Sequence, residues 1–222
     1  MVAPDGGGCY LDPAIPSGGR TRVPFMRVTR GNMRIRTARP SDLQAIINIY
    51  NQAIEAGQQT ADLTPVSVED RKSWFESHPP EKYPIFVAEE DGLVVGYCTI
   101  SPYRPGRMAL RHTAEISYFV HSDHHRRGIA SQLLEFAVQA CYSLDIRTLF
   151  AIVLDSNTAS VRLLEQHGYE RWGHLPDVAV FGETEVGHYY YGLKIKAPYM
   201  AGTPGVEDSG PRRPGGDPGG GP

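Results

Sequence analysis

One loop in the 222-residue sequence combines small and basic residues in an order that suits anion binding. The segment HSDHHRRGIAS, residues 121–131, follows a run with strand periodicity and precedes an amphipathic helix pattern. The first N–H groups of a helix lack intrahelical partners and lie at the positive end of its dipole, which suits a phosphate or pyrophosphate. Gly128 allows the backbone to approach a ligand, and Ala130 is small enough not to block it. An ordinary capped helix explains the same spacing, so both interpretations remain open at this point.

Several other kinds of site do not fit this loop. No Gly-Lys-Ser/Thr follows it, as a Walker loop requires, and the three spaced glycines of a dinucleotide fingerprint are absent. His121, His124 and His125 lie close to Asp123, but their spacing matches no standard metal site. We therefore expect no metal here.

A carboxylate lies in the middle of the strand before the loop. In HTAEISYFV, residues 112–120, apolar and polar positions alternate, and Glu115 shares a face with Thr113 and Ser117. A carboxylate among apolar neighbours is costly unless it is solvated or paired. Glu115 is therefore a candidate general base, with a structural ion pair to Arg107, Arg111 or another arginine as the alternative.

The elements that position these residues alternate between strand and helix periods. The pattern predicts an α/β domain with a mixed sheet, whose helices begin at Ser41 as N-cap and at a capping box of Ser67 and Asp70. Asp91-Gly92 predicts a tight hairpin turn. Later elements are expected in this order: a helix from near Gly128, a buried strand over 148–154, a helix over 159–167, and strands near 169–174 and 188–195.

Composition limits the domain to the middle of the chain. Residues 198–222 contain eight Gly and six Pro, and residues 1–32 show no periodicity, so we expect both segments to be disordered or loosely attached. Residues 33–197 then form one domain. A net charge of -3 gives no basic excess for nucleic-acid binding, and no apolar run approaches a membrane span. Cys9, Cys98 and Cys141 are too few and too dispersed for a disulfide framework, which favours a reducing, cytoplasmic location.

Several ordered motifs resemble the GNAT superfamily of N-acetyltransferases. These are HHRRGIA after a strand, Asn157 after a buried strand, and LLEQHGYE at the end of the next helix. The segments IYNQAIE, ALRHTAEISYFVHSDHHRRGIA and NTASVRLLEQHGYERWG resemble the phosphinothricin acetyltransferase branch. The resemblance spans residues 33–195. It implies a splayed, mostly antiparallel mixed sheet flanked by helices, and direct transfer from acetyl-CoA to a small, amino-acid-like primary amine in a ternary complex.

The resemblance also implies how acetyl-CoA would bind. Pantetheine would run beside the backbone of Tyr118, Phe119 and Val120. Asn157 would contact CoA, although it can also cap the helix that it precedes, and the two roles are compatible. The pyrophosphate would bind the amides of the loop and the first helical turn, at His125, Arg126, Arg127, Gly128, Ile129, Ala130 and Ser131.

For the acceptor, the resemblance implies Glu115 as base, an oxyanion donor on the backbone of the fourth strand, and Arg107 as an arginine near the substrate. Arg111, whose guanidinium fork suits a carboxylate, and Ser117 are further predicted substrate-binding residues. A solvated basic loop is the alternative for the arginines. A homodimer is also expected from the resemblance.

The sequence departs from the family pattern at two positions. His125 replaces a glutamine or arginine, and Leu164 replaces a tyrosine or histidine that could protonate the leaving thiolate. These departures keep open a second hypothesis, a non-catalytic acyl-CoA sensor. A third hypothesis is a protein N-acetyltransferase, which an open cleft without Arg107 pointing inward would favour.

Overall fold

One seven-stranded sheet carries the helices in the computed structural model, which describes residues 33–57 and 59–195. The strands are β1 (Met33–Thr37), β2 (Ile85–Glu90), β3 (Leu93–Pro102), β4 (Thr113–Val120), β5 (Thr148–Leu154), β6 (Glu170–Phe181) and β7 (Thr184–Lys194). The helices are α1 (Leu43–Glu55), α2 (Val68–Glu76), α3 (Ile129–Ser143) and α4 (Thr158–Gln166). The predicted mixed α/β architecture and element order are confirmed. The predicted disordered ends, 1–32 and 198–222, lie outside the described residues.

Local capping explains where the first two helices begin. The hydroxyl of Ser67 accepts the N–H of Asp70 at 3.2 Å, and the carboxylate of Asp70 accepts the N–H of Ser67 at 2.9 Å, so the capping box of α2 is confirmed. The prediction of Ser41 as N-cap of α1 is wrong. Residues Pro40–Asp42 form a 3-10 turn in which Asp42 accepts the N–H of Arg39 at 2.6 Å. An ionised acceptor makes a stronger bond than a neutral hydroxyl.

The hairpin of β6 and β7 is longer than the sequence pattern predicts. Its strands continue through residues 175–187, which the predicted strands near 169–174 and 188–195 leave out. The pairing shifts register between Leu175 and Ala179, and Asp177 has a φ of 54°. Such an irregularity interrupts the alternation of period two, and β6 is mostly exposed, so its apolar pattern is weak.

The sheet separates two hydrophobic clusters. α3 and α4 pack on one face, where Leu133, Leu134 and Leu164 are fully buried. α1 and α2 cover the other face, around Ile46 and Tyr97. Successive side chains of a strand point to opposite faces. Ala114 and Ile116 of β4 belong to the first cluster and Phe119 packs against the second, so Glu115 and Ser117 face α1 and α2.

The sheet opens between its fourth and fifth strands. β4 and β5 run parallel, and their described pairing covers only Thr113–Glu115 against Thr148–Phe150. β5 remains paired with β7 as far as Leu154, whereas β4 remains paired with β3 as far as Val120. The two strands therefore separate immediately after Glu115, and the gap opens toward the predicted anion-binding loop.

Candidate functional site

The predicted anion-binding loop ends in a helix without a side-chain cap. Gly128 is the N-cap of α3, with φ 76° and ψ 11°, and no side chain caps the first turn. The structure therefore lacks the side-chain cap of an ordinary helix start, and the N–H groups remain available to another acceptor. A Cβ at Gly128 would meet no atom within 4 Å, so glycine suits the left-handed conformation while leaving space above the turn.

The loop, the end of β4 and α4 enclose a cavity of about 450 Å³, which we call the loop cavity. It is lined by all but one of the residues predicted to hold the cofactor: Tyr118, Phe119, Val120, His125, Arg126, Gly128, Ile129, Ala130, Ser131 and Asn157. The exception is Arg127, whose guanidinium donates to Glu90 of β2 at 2.7 Å. His125 bonds through Nε2 to the carbonyl of Val120 at 2.9 Å and so fastens the loop to the end of β4.

A second cavity of about 390 Å³, which we call the sheet cavity, lies where β4 and β5 separate. Its floor includes four polar side chains from two neighbouring strands: Thr99, Ser101, Glu115 and Ser117. Register pairs Ser101 with Glu115 and Thr99 with Ser117, which explains why the four share one face. The two cavities share Gln59, Tyr118, Phe119, Asn157 and Ser160, so they meet.

Glu115 lies among the polar residues of the sheet cavity. Its side chain is half-buried, and no other described residue makes a hydrogen bond or ion pair with its carboxylate. Burial raises the pKa of Glu115 above its ordinary value. The alternative of an ion pair with Arg107 or Arg111 is not present. Both arginines are exposed and neither lines either cavity, and the guanidinium of Arg111 donates to the carbonyl of Met108 at 3.0 Å.

The arginine of the sheet cavity is Arg71 of α2, which the sequence did not single out. Its guanidinium donates to Asp62 at 2.7 Å and lies 5.0 Å from the ring centre of Tyr50. Tyr50 also donates to Asp62 at 2.7 Å. The nearest signal in the sequence is the capping box at the start of its helix. A capping box predicts where a helix begins but not which strand that helix covers. His188 of β7 lines the same cavity and was also missed.

Asn157 caps the helix that it precedes, as one of its two predicted roles requires, and its contact with CoA stays a prediction. Its side-chain oxygen accepts the N–H of Ser160 at 3.1 Å and caps α4, and the residue also lines both cavities. Leu164 is fully buried and lines the sheet cavity. The hydroxyl of Tyr118, a residue that lines the same cavity, is buried beside Ser160 and makes no well-formed hydrogen bond with a described residue. Burial raises the pKa of Tyr118 to about 12.

The histidines of the loop have protein partners. His124 lies 3.4 Å from Glu90 and bonds to Arg127, and His121 bonds to Gln52 at 3.0 Å. Across residues 33–57 and 59–195, no group of three or more His, Cys, Asp or Glu side chains is arranged to hold a metal ion. None of the described helices combines the length and apolar composition that crossing a bilayer requires.

Comparison with known proteins gives consistent matches. A protein of Bacillus subtilis that carries a provisional phosphinothricin acetyltransferase name is 37% identical over 164 residues, covering 73% of this chain and 96% of that protein. An L-methionine sulfoximine/L-methionine sulfone acetyltransferase of Pseudomonas aeruginosa is 34% identical over 147 residues, covering 65% of this chain and 84% of its own.

Structural comparison finds the same fold with its co-substrate bound. The crystal structure of a GNAT superfamily phosphinothricin acetyltransferase from Sinorhizobium meliloti, in complex with acetyl-CoA, has a TM-score of 0.70 and 25% identity. The match covers 80% of this chain and 95% of that chain. The family model of the acetyltransferase (GNAT) family matches residues 43–169. The match spans β4, the loop and α4, and confirms the resemblance inferred from the motifs: this chain belongs to the acetyltransferase (GNAT) family.

Proposed function

We propose that this chain transfers the acetyl group of acetyl-CoA to the primary amine of a small, amino-acid-like acceptor by direct transfer in a ternary complex. One observation carries the proposal: the loop cavity, with its uncapped helix, opens into the sheet cavity that contains Glu115. A donor in the first cavity and an acceptor in the second would meet where β4 and β5 separate. The acetyltransferase names of the relatives support the same activity.

The loop cavity fits the CoA portion of the donor. The free N–H groups at the start of α3 suit a pyrophosphate, and the guanidinium of Arg126 adds positive charge on the cavity wall. The backbone edge of β4 facing the gap, at Tyr118, Phe119 and Val120, can bond to the amides of pantetheine as an added strand would. Asn157 lies where the two cavities meet and can contact the same arm.

The first prediction concerns Gly128. Gly128→Trp places an indole over the helix start and should raise the dissociation constant for acetyl-CoA at least tenfold, measured by calorimetry. Gly182→Trp is the matched control. Gly182 also has a positive φ, 63°, and an added Cβ there would meet no atom within 4 Å, but it lies in the distant turn between β6 and β7. Equal affinities for the two variants would contradict the assignment of the loop.

Acetyl transfer requires a neutral amine, and an alkylammonium has a pKa of about 10. Glu115 is the group that removes this proton, because no described residue pairs with its carboxylate in the acceptor cavity and its pKa is raised. A backbone N–H of β4 in the gap can donate to the oxyanion that forms on the carbonyl. Leu164 has no proton to give. A thiolate whose thiol has a pKa of about 8.5 can leave without one and take its proton from solvent.

The second prediction separates the catalytic role of Glu115 from a structural one. Glu115→Gln should lower kcat about 100-fold near neutral pH, with the deficit shrinking as pH rises toward the pKa of the free amine. The same variant should unfold at a higher temperature at pH 7. Because burial raises the pKa of Glu115 in the folded state, ionisation of this carboxyl at pH 7 lowers the free energy of unfolding. This penalty disappears below about pH 4, where the carboxyl is protonated in both the folded and the unfolded state. A slower, less stable variant would instead indicate a structural carboxylate.

We propose Arg71 as the group that binds the carboxylate of the acceptor. It lines the sheet cavity, and its one described hydrogen bond, to Asp62, leaves further guanidinium N–H groups for a ligand. Arg107 and Arg111 remain predicted substrate contacts, but their exposed positions outside the lining give them less support. Ser117 lines the cavity, as its prediction requires.

The third prediction concerns the choice of acceptor. A panel of amines is incubated with acetyl-CoA, and the rate of acetylation of each amine is measured as the release of the CoA thiol. Methionine sulfoximine and phosphinothricin should be acetylated faster than amines of similar size without a carboxylate. Arg71→Met should raise the KM of the amino acids about 10- to 100-fold, the range for losing a hydrogen bond to a charged group, and leave the other amines unchanged. Lys72→Met, at an exposed position beside it on α2, is the control.

The same panel tests the other two hypotheses. A peptide with a free N-terminus acetylated faster than any amino acid would indicate a protein N-acetyltransferase. Tight binding of acetyl-CoA without thiol release to any acceptor would indicate an acyl-CoA sensor.

We also propose that the enzyme is cytoplasmic and homodimeric. Cys98 and Cys141 are buried free thiols, the state that a reducing compartment maintains. β6 is an edge strand with four exposed apolar side chains suited to a second copy: Trp172, Leu175, Val178 and Val180.

The fourth prediction concerns this edge. Sedimentation equilibrium should show a dimer, and the double substitution Val178→Lys with Val180→Lys should raise its dissociation constant at least tenfold. A monomer at every concentration would contradict it.

A further inference from the structure

A buried histidine outside the loop contacts the wall of the sheet cavity. His78 follows α2 and is only 8% exposed. Its Nδ1 lies 2.7 Å from the carbonyl oxygen of Trp74, and its Nε2 lies 3.0 Å from the hydroxyl of Ser101. Ser101 and Trp74 both line the sheet cavity. The chemistry proposed above gives no role to His78 or Ser101.

The two contacts define the direction of both hydrogen bonds. A carbonyl oxygen only accepts, so Nδ1 must carry the proton that bonds to Trp74. Burial lowers the pKa of His78, which keeps the ring neutral at pH 7 and leaves Nε2 as an acceptor. Ser101 must then donate its hydroxyl hydrogen to Nε2. Toward the cavity its oxygen offers lone pairs alone.

This orientation places two acceptors beside each other. Ser101 and Glu115 are direct register partners on adjacent antiparallel strands, so their side chains share a face with Cβ atoms about 5 Å apart. Ser101 has given its only hydrogen to His78, and no described residue donates to the carboxylate of Glu115. Neighbouring acceptors without a donor repel one another, and a group with several N–H donors relieves that repulsion. A primary ammonium has three.

We propose that Ser101 and Glu115 together bind the ammonium group of the acceptor, and that His78 is a positioning residue that holds Ser101 as an acceptor. This rests on the proposed function and identifies where its amine binds. One N–H bonds to Ser101 and a second to Glu115, which takes that proton. The neutral amine keeps its bond to Ser101, which directs the freed lone pair toward the thioester carbonyl. As the C–N bond forms and the C–S bond breaks, the thiolate leaves with the electron pair of the C–S bond. The nitrogen, which then carries one proton too many for an amide, releases it to solvent, and solvent in turn protonates the thiolate.

The test begins with the amine KM of Ser101 variants in the full-length chain. Ser101→Ala should raise the KM of the best panel acceptor about 10- to 100-fold, the range for a hydrogen bond to a charged group, and leave the acetyl-CoA dissociation constant unchanged. Ser101→Thr, which keeps a hydroxyl, should stay close to the wild type. Ser73→Ala, at an exposed position on α2, is the matched control and should change neither quantity.

Histidine variants test whether His78 acts through Ser101. His78→Met should raise the amine KM as Ser101→Ala does, because the freed hydroxyl can turn and donate to Glu115. His78→Gln, whose amide oxygen can accept the same bond, should recover much of the loss. In the Ser101→Ala background, His78→Met should have little further effect on KM, whereas a purely structural role would give additive losses.

The possible results distinguish failure of this inference from failure of the proposed function. An unchanged amine KM in Ser101→Ala, or additive effects of the two substitutions, would overturn this inference while leaving the acetyltransferase intact. Failure of the wild type to acetylate any acceptor would overturn the proposed function and this inference with it. If the His78 variants do not fold, as judged by acetyl-CoA binding, the comparison of Ser101→Ala with Ser101→Thr still decides whether the hydroxyl binds the amine.

Discussion

The separation of two parallel strands after Glu115 is the constraint on which the rest of the site depends. Buried backbone N–H and C=O groups need partners, and β4 beyond Glu115 has none from β5. α4 borders this gap, and its residues Ser160 and Leu164 line the sheet cavity. An extended ligand can complete the hydrogen bonding of such an edge as an added strand does. The gap therefore combines a binding surface with a passage between two faces of the sheet.

The position of Glu115 follows from this geometry. It belongs to the last pair that joins β4 to β5, opposite Phe150, so its backbone is held firmly while its side chain points into the opening. Its neighbours across β3 and β4 are hydroxyl residues rather than arginines, which leaves the carboxylate free to exchange a proton. A general base has to combine rigid placement with a replaceable proton partner, and the end of a strand pairing provides both.

The sequence predicted those parts of the site that lie close together along the chain. The strand, the loop and the first turn of α3 are continuous, so Glu115, Gly128 and Ala130 could be assigned from periodicity and from residue size. Arg71 belongs to α2 and His78 follows that helix, well before β4 in the chain. Arg71 lines the sheet cavity and His78 contacts its wall only because α2 packs over the sheet. A capping box locates the start of such a helix but contains no information about tertiary contacts. Likewise, Ser41 is a good N-cap by type, but Asp42 displaced it because Arg36 also binds that carboxylate, at 2.6 and 2.9 Å.

The treatment of carboxylates elsewhere in the chain strengthens the functional interpretation of Glu115. Asp42 and Glu89, the buried carboxylates among the described residues, both pair with Arg36, and Glu89 also bonds to Arg34. These partners lower the pKa values of Asp42 and Glu89 despite burial, whereas burial without a partner raises that of Glu115. The fold therefore has the means to neutralise a buried carboxylate and does so on β1 and β2. Leaving Glu115 and Ser101 as adjacent acceptors costs stability that hydrophobic residues at the same positions would avoid. Two adjacent acceptors without a donor are expected where a ligand, rather than the chain itself, completes the hydrogen bonding.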